Sequence, residues 1–496
     1  MLERLGMTRD VLDRARRSRD ARFDGKFFIA VTSTGIYCRT ICPAKTSKDA
    51  NVRYYATAAE ASDAGFRPCL RCRPESAPGS PAWLGTSAVV RRALRLIQSG
   101  ALDQSSVEEL ATHLGVGARH LSRLFSRHVG TSPMAVARTR RLHFAKQLLD
   151  ETGLPITQIA LASGFGSVRR FNDAFKDTYQ RSPRELRKAR QRSADAGIRL
   201  RLTYRPPYDW GSLTESLARR AISGLESVAA GVYRRVVRTA GKTVTVEVRQ
   251  IEAADALELR ILGAEASELL PLASNARRMF DLAADPARIR EVLARDAQLA
   301  PLVARQPGLR IPGHWDLFES GVRALLQRLA TPEDARRILA QLVASLGEGG
   351  GEAPPAPHSF PGAGALARAA AGRLACPATL AAQLRAFAAE VARRSARGAP
   401  LDEAMRASFP APHQAWLSEY VALFGQGDPD ALPCDAEVLR AELAAGTVTT
   451  APELSARTEA WRPFRGYAAL HLLGATALSW HSLQVRSRPV PARIIF

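Results

Sequence analysis

GIYCRTICPAK (residues 35–45) and RPCLRC (residues 67–72) carry four of the chain's six cysteines. Cys38, Cys42, Cys69 and Cys72 form a C-x3-C…C-x2-C pattern with 26 residues between the pairs. Two close pairs on separate turns can converge on one tetrahedral ion, and four sulfurs at ~2.3 Å suit Zn²⁺. Gly35 and Pro43 flank the first pair, and Gly65 and Pro68 precede the second. FFIAVTSTGIYC and NVRYY read as short strands around them. Arg39, Lys45, Arg67, Arg71 and Arg73 surround the thiols. Zinc keeps its thiolates deprotonated, so such a site is either a structural knuckle or a nucleophile held beside phosphates.

Working outward, composition narrows the setting. A chain of 496 residues has room for about three or four domains. It has no apolar run of the ~18–20 residues a membrane span needs. MLERLGMTRDVLDRARR is charged from residue 3 and lacks the apolar core of a secretory signal, so a cytoplasmic protein without a membrane partner is expected. Disulfides are then not expected. Net charge is +22, of which residues 1–200 hold +17. A solvated Arg-rich surface would give the same total, but the asymmetry favours a polyanionic partner, most simply nucleic acid.

PESAPGSPAWLG (residues 74–85) reads as a linker. An internal repeat follows: SVEELATHLGVGARHLSRLFSRHVGTSP (106–133) recurs as PITQIALASGFGSVRRFNDAFKDTYQRSP (155–183). Each copy reads as a short helix, a Gly-containing turn and a second helix. Ser106 and Glu109 form a capping box, and residues 134–149 bridge the copies as a helix. The second helix of each unit would enter the major groove. Candidate DNA contacts are Arg119, His120 and Arg123 in the first copy, and Ser167, Arg169, Arg170 and Asn172 in the second.

Residues 198–210 and 232–262 alternate apolar and polar, with a hairpin around Ala240-Gly241. Ala-rich helical segments follow, interrupted by EGGGEAPPAPHSFPGAG (348–364), a loop by composition. Cys376 and Cys434 have no partners in the pattern.

Three resemblances build on these residues. FFIAVTSTGIYCRTICPAK…NVRYYATAAEASDAGFRPCLRCRPE resembles the N-terminal domain of the Ada family of DNA repair regulators, over residues 10–75. The resemblance implies one zinc ion on the four cysteines, with Cys38 also accepting methyl from a DNA methylphosphotriester. Methylation would take the site from −2 to −1 and reduce its repulsion from DNA, making the protein a stoichiometric sensor. The tandem repeat resembles the AraC/XylS-type DNA-binding domain. No Pro-Cys-His-Arg motif is present, so an O6-methylguanine transferase domain is not expected.

LTYRPPYDW, GLRIPGHWDLFESGVRALLQ, GDPDALP and WRPFRGYAALHLL resemble the AlkA-type alkylpurine DNA glycosylases, over about residues 198–485. That implies excision of a flipped cationic base such as 3-methyladenine, with a carboxylate steadying the sugar. Several positions depart from the family. The hairpin FPAPHQAW (409–416) has no glycine, Arg328-Leu329 stands where the family has two glutamines, and Leu473 replaces an aromatic. Counting back from Arg440, the catalytic Asp position falls on Ala436, so Asp435, one residue early, is the candidate catalyst. Trp416 and Tyr420, at i,i+4, are the candidate base pocket.

The expected class is a multidomain α+β protein: a small zinc-bound α/β domain (1–76), an all-helical tandem helix-turn-helix domain (86–190), a small mixed-sheet domain (197–275) and an all-helical helix-hairpin-helix glycosylase-like domain (276–486). Its expected function joins alkylation repair, by methyl acceptance at Cys38 and 3-methyladenine excision, to transcriptional regulation. Double-stranded DNA, alkylated and promoter, is the implied partner, with RNA polymerase a further one and a monomer the expected state. Two rival readings stay open. One is a transcription factor with structural zinc and a catalytically inactive glycosylase-like half. The other is a thiol or metal sensor.

Overall fold

Successive residues of a strand point to opposite faces, and the first strand is apolar on both. Phe27 and Ile29 pack with Leu12, Ala15, Val52 and Tyr54. Phe28 and Ala30 pack with Tyr37, Tyr55 and Ala61. The sheet comprises β1 (Phe28–Val31), β2 (Ile36–Cys38), β3 (Val52–Tyr55) and β4 (Arg67–Pro68), in the order β3-β1-β2-β4. Helix α1 (Arg9–Ser18) supplies Leu12 and Ala15 to one core, and α2 (Ala58–Asp63) supplies Ala61 to the other. β2 and β4 are parallel with Tyr37 opposite Pro68, so the next residue on each strand is a cysteine, Cys38 beside Cys69.

These elements come from a computed structural model that describes residues 7–78, 88–98, 100–187, 197–239, 242–349, 358–433 and 451–474. The chain divides into two units, Met1–Trp210 with Val228–Pro286, and Gly211–Ser227 with Ala287–Phe496. No helix among the described residues is long and apolar enough to cross a membrane.

In the first unit the repeat folds as α3 (Ala88–Gln98), α4 (Val107–His113), α5 (Ala118–His128), α6 (Pro133–Glu151), α7 (Ile156–Ala162) and α8 (Val168–Tyr179). The capping box forms reciprocally: Glu109 N–H donates to Ser106 Oγ (3.1 Å) and Ser106 N–H to the Glu109 carboxylate (2.9 Å). Leu110, Ala111 and Leu114 face one core with Leu121 and Phe125. The bridge α6 is longer than the expected span by a residue at its start and two at its end, because Ser132 caps it and Pro133 starts it. The linker reading is corrected in part. Residues 74–76 form a tight turn with Glu75 buried, and its ion pair with Lys146 of α6 (3.6 Å) holds it there. Residues 79–87 lie outside the described residues.

A second sheet, in the order β5-β9-β8-β7-β6, is built from β5 (Ile198–Thr203), β6 (Glu226–Ala229), β7 (Val232–Arg238), β8 (Thr243–Ile251) and β9 (Ala256–Leu262). β7 and β8 pair antiparallel as the expected hairpin. Its tip, residues 240–241, lies outside the described residues. Val244, Val246 and Val248 alternate inward along β8, as do Leu257, Leu259 and Ile261 along β9.

The second unit is helical: α9 (Leu317–Leu329), α10 (Ala378–Ala396), α11 (Leu401–Ser408), α12 (Gln414–Tyr420), α13 (Ala451–Ala460) and α14 (Arg465–Gly474). Gly321 lets α9 approach closely, since a Cβ there would lie 2.5 Å from Met405 Cε and 2.9 Å from Phe387 Cζ. Phe387 stacks between Phe318 (5.9 Å) and Phe409 (5.3 Å). The loop read over 348–364 is corrected at its ends: Gly349 bridges His358, Ser359 and Phe360 are buried, and residues 363–367 are helical. Phe360 packs on Phe318, and that burial outweighs the Pro/Gly composition. Residues 350–357 lie outside the described residues.

Asp296 ties α13 to the rest of this unit. It accepts from Arg457 Nε (2.7 Å) and Trp461 Nε1 (2.9 Å). Burial pushes its pKa up, but these bonds outweigh it and hold the carboxyl down at about 2. Asp296→Ala strands a largely buried guanidinium and an indole N–H. We expect a loss of about 2–3 kcal/mol in urea unfolding, with zinc content unchanged.

Candidate metal centre and nucleic-acid interface

The parallel register of β2 and β4 brings the two cysteine pairs together. Cys69 N–H donates to the Tyr37 carbonyl (2.9 Å), while Cys42 N–H closes the first knuckle on the Arg39 carbonyl (3.2 Å) and Arg73 N–H the second on the Cys69 carbonyl (3.1 Å). The four sulfurs lie within 4.8 Å of one another. A tetrahedral zinc with bonds of ~2.3 Å needs sulfurs about 3.8 Å apart, so the cluster fits one Zn²⁺. The donor set is all sulfur, as Zn²⁺ prefers in closed sites.

The sulfurs are not equivalent. Cys69 and Cys72 are buried, whereas Cys38 and Cys42 are half-buried. Arg39 N–H donates to Cys72 Sγ (3.3 Å). That bond stabilises the Cys72 thiolate and reduces its nucleophilicity. Cys38 is one of the two half-buried sulfurs. It lines a cavity of ≈ 380 Å³ together with Cys42 and Cys69.

Lys45, Arg67 and Arg71 are exposed on the walls of that cavity. Two of the expected phosphate-facing arginines are elsewhere engaged. Arg39 is buried, its guanidinium paired with Asp24 through Nε–Oδ1 at 2.9 Å. Arg73 turns back to Asp150 at the end of α6 (2.6 Å). In both cases a carboxylate offers a charged partner out of solvent, where the interaction is stronger than with a screened phosphate.

Arg119, His120 and Arg123 are exposed on α5, with Arg123 Nη2 3.0 Å from His120 Nδ1. Arg169, Arg170 and Asn172 are exposed on α8. Ser167 is the N-cap of α8, its hydroxyl accepting from Arg170 N–H (3.4 Å), so part of its bonding capacity goes to the helix.

In the helical unit Trp416 and Tyr420 stack at 5.2 Å on α12. Tyr420 is buried against Phe424 (4.7 Å), while Trp416 is half-buried. Arg328 stands over the Trp416 ring at 5.5 Å, the place on an aromatic face where a cationic base would be attracted. The hairpin between α11 and α12 is a short 3-10 turn at residues 411–413. Leu473 is buried. Asp435, with Ala436, Glu437 and Arg440, lies outside the described residues.

Residues 12–75 match the metal binding domain of Ada, 110–189 a helix-turn-helix domain, and 199–316 the AlkA N-terminal domain. The probable bifunctional transcriptional activator/DNA repair enzyme AlkA of Mycobacterium tuberculosis is 37% identical over 471 residues, covering 92% of this chain and 95% of that protein. The chain belongs to this bifunctional AlkA family. Its two halves have separate relatives. The bifunctional transcriptional activator/DNA repair enzyme Ada of Escherichia coli is 36% identical over 148 residues, 30% of this chain and 40% of that protein. DNA-3-methyladenine glycosylase 2 of Escherichia coli is 28% identical over 278 residues, 55% of this chain and 95% of that protein.

Within this AlkA-family chain, the residues flanking the zinc ligands make contacts that the cysteine spacing did not reveal. Tyr37, beside Cys38, places its hydroxyl 3.0 Å from His143 Nε2 on α6. Burial pushes the His143 pKa down to about 4, so the neutral ring can accept a hydrogen bond from the phenol hydroxyl. Asp24, which holds Arg39 by its carboxylate, also accepts from Arg205 Nε through its carbonyl (2.9 Å). Thr131, in the turn after α5, donates to Asp63 at the end of α2. None of these has a local sequence signal, since each pairs residues far apart in the chain.

Proposed function

We propose that this chain is an alkylation-response DNA repair protein and transcriptional regulator, in which Cys38 accepts methyl from DNA methylphosphotriesters. The observation that carries the reading is that Cys38 is half-buried and lines the basic cavity, whereas Cys72 is buried, accepts from Arg39 N–H and is absent from the cavity wall. Bound zinc supplies deprotonated thiolates at neutral pH. Cys38 Sγ attacks the methyl carbon, an S–CH3 bond forms, the O–CH3 bond breaks, and the electron pair leaves on the phosphodiester oxygen. A thioether does not return the methyl, so each molecule acts once. Lys45, Arg67 and Arg71 attract the flanking phosphates, which stay charged while the triester is neutral. The test is intact mass after incubation with a duplex carrying one methylphosphotriester, with the added methyl mapped to Cys38.

The tandem helix-turn-helix reads promoter DNA through α5 and α8, with Arg119, His120, Arg123, Arg169, Arg170 and Asn172 as contacts and Ser167 shared with capping. RNA polymerase is the further partner proposed, in a cytoplasmic monomer. The helical half is read as a glycosylase that removes alkylated purines such as 3-methyladenine, with Asp435 as its catalytic carboxylate.

A second reading, a glycosylase-like half that binds DNA without excising bases, is favoured by one contact. Arg328 covers the Trp416 face and places a positive charge where a cationic base would stack. Arg328→Gln removes that charge, so excision of 7-methylguanine from alkylated duplex should rise roughly fivefold, the scale of one cation–π contact. An unchanged rate would remove Trp416 from the base pocket.

A further inference from the structure

The cavity that Cys38 lines is not built by the zinc domain alone. Tyr179, the last residue of α8, and Arg181, two residues beyond it, form part of its wall. Both belong to the second helix-turn-helix copy. Tyr179 is buried and continues the aromatic stack Phe171–Phe175–Tyr179, with ring separations of 5.5 and 4.5 Å. That stack runs along the helix to its last residue, where Tyr179 meets residues of the zinc domain on the cavity wall. Arg181 is exposed, and no carboxylate forms an ion pair with it among the described residues. The corresponding turn of the first copy puts the small, buried Thr131 in this place, bonded to Asp63. One copy therefore uses the position for docking, while the other leaves an exposed guanidinium at the rim of the cavity, with Glu185 its acidic neighbour outside ion-pair distance. The exposed Arg169 lies ten residues before Tyr179 on the same helix, ~15 Å away at 1.5 Å per residue. A helix that touches the groove at one end carries Arg181 towards the phosphate backbone at the other.

We infer that Arg181 is a positioning residue for the acceptor reaction: it holds a charged DNA phosphate next to the triester, so that the second helix-turn-helix helps to seat damaged DNA at Cys38. This rests on the methyl-acceptor reading above. An arginine suits the task because its planar fork binds phosphate oxygens in pairs and never loses its charge. The contact is made in the ground state and the transition state alike, so it acts on binding rather than on the chemical step.

The test is single-turnover methyl transfer from a duplex with one methylphosphotriester, read by intact mass across DNA and salt concentrations. The proteins are the full chain, Arg181→Ala, Arg181→Lys and Arg184→Ala. Arg184 is exposed three residues on and lies outside the cavity wall. Arg181→Ala should raise the DNA concentration for half-maximal rate roughly tenfold. Its saturating rate should stay within about twofold. Its log affinity against log salt should flatten by about 0.9, the loss of one phosphate contact. Arg181→Lys should keep the slope, and Arg184→Ala should keep both values. An unchanged half-maximal concentration in Arg181→Ala, or an equal shift in Arg184→Ala, overturns the inference. A full chain that takes up no methyl overturns the acceptor reading instead, and the two failures are read from separate samples. Zinc content and circular dichroism of each variant exclude loss of fold as the cause.

Discussion

Cys38→Ser should abolish methyl uptake from a methylphosphotriester duplex while the protein remains folded. The hydroxyl of serine is a poor nucleophile without a base, and of the three remaining sulfurs Cys69 and Cys72 are buried, leaving Cys42 as the one other half-buried thiol. Cys69→Ser and Cys72→Ser should behave differently. Those sulfurs are buried beside the sheet end, and structural zinc contributes roughly 10 kcal/mol or more to such small domains. Losing either ligand should release the metal and unfold residues 7–78, seen as lost zinc and lost protease resistance. If Cys38→Ser still gained one methyl, mapped to Cys42, the assignment of Cys38 as the acceptor would be overturned. In the wild type, methylation should also strengthen DNA binding, because the site loses one negative charge facing phosphate. That gain should shrink as salt rises, since exposed charges are screened within about 10 Å at 0.1 M.

The second large effect is expected at Asp435. If this carboxylate steadies the cationic sugar, Asp435→Asn should reduce 3-methyladenine release by about 10²–10³-fold, with duplex binding retained. The side chains nearly match in shape, so the difference isolates the charge. Release by the wild type that persists in Asp435→Asn would move the role to Glu437. No release by a folded wild type would favour the reading in which this half binds DNA only and Cys38 carries the sole chemistry. Arg328→Gln adds an independent check, because it changes the base wall without touching the carboxylate.

Much of this architecture was legible because it is local. A capping box at Ser106 and Glu109 needs only the spacing of two residues. Two cysteine pairs with glycine and proline beside them announce a metal site for the same reason. The helix-turn-helix copies were visible by self-similarity, down to the Ser-Pro that starts α6 and its counterpart after α8. Where local composition misled, tertiary burial was the cause. Glu75, inside a Pro/Ser-rich stretch, is drawn into an ion pair with Lys146. Phe360, at the end of a Gly/Pro-rich insert, is drawn onto Phe318. Arg39 and Arg73 looked like phosphate ligands because they adjoin cysteines, yet each faces a carboxylate 15 or more positions away in the chain.

By itself the sequence determined the cysteine ligand set, the tandem repeat, the basic front half and the position of the aromatic pair at 416 and 420. These follow from spacing, period and charge, which a linear chain displays directly. The tertiary structure decided which thiols are buried, which arginines stay exposed, and that Tyr179 and Arg181 of the second helix-turn-helix line the cavity beside Cys38. Those outcomes depend on which groups distant in sequence the fold brings within hydrogen-bonding distance, and no spacing along the chain encodes that.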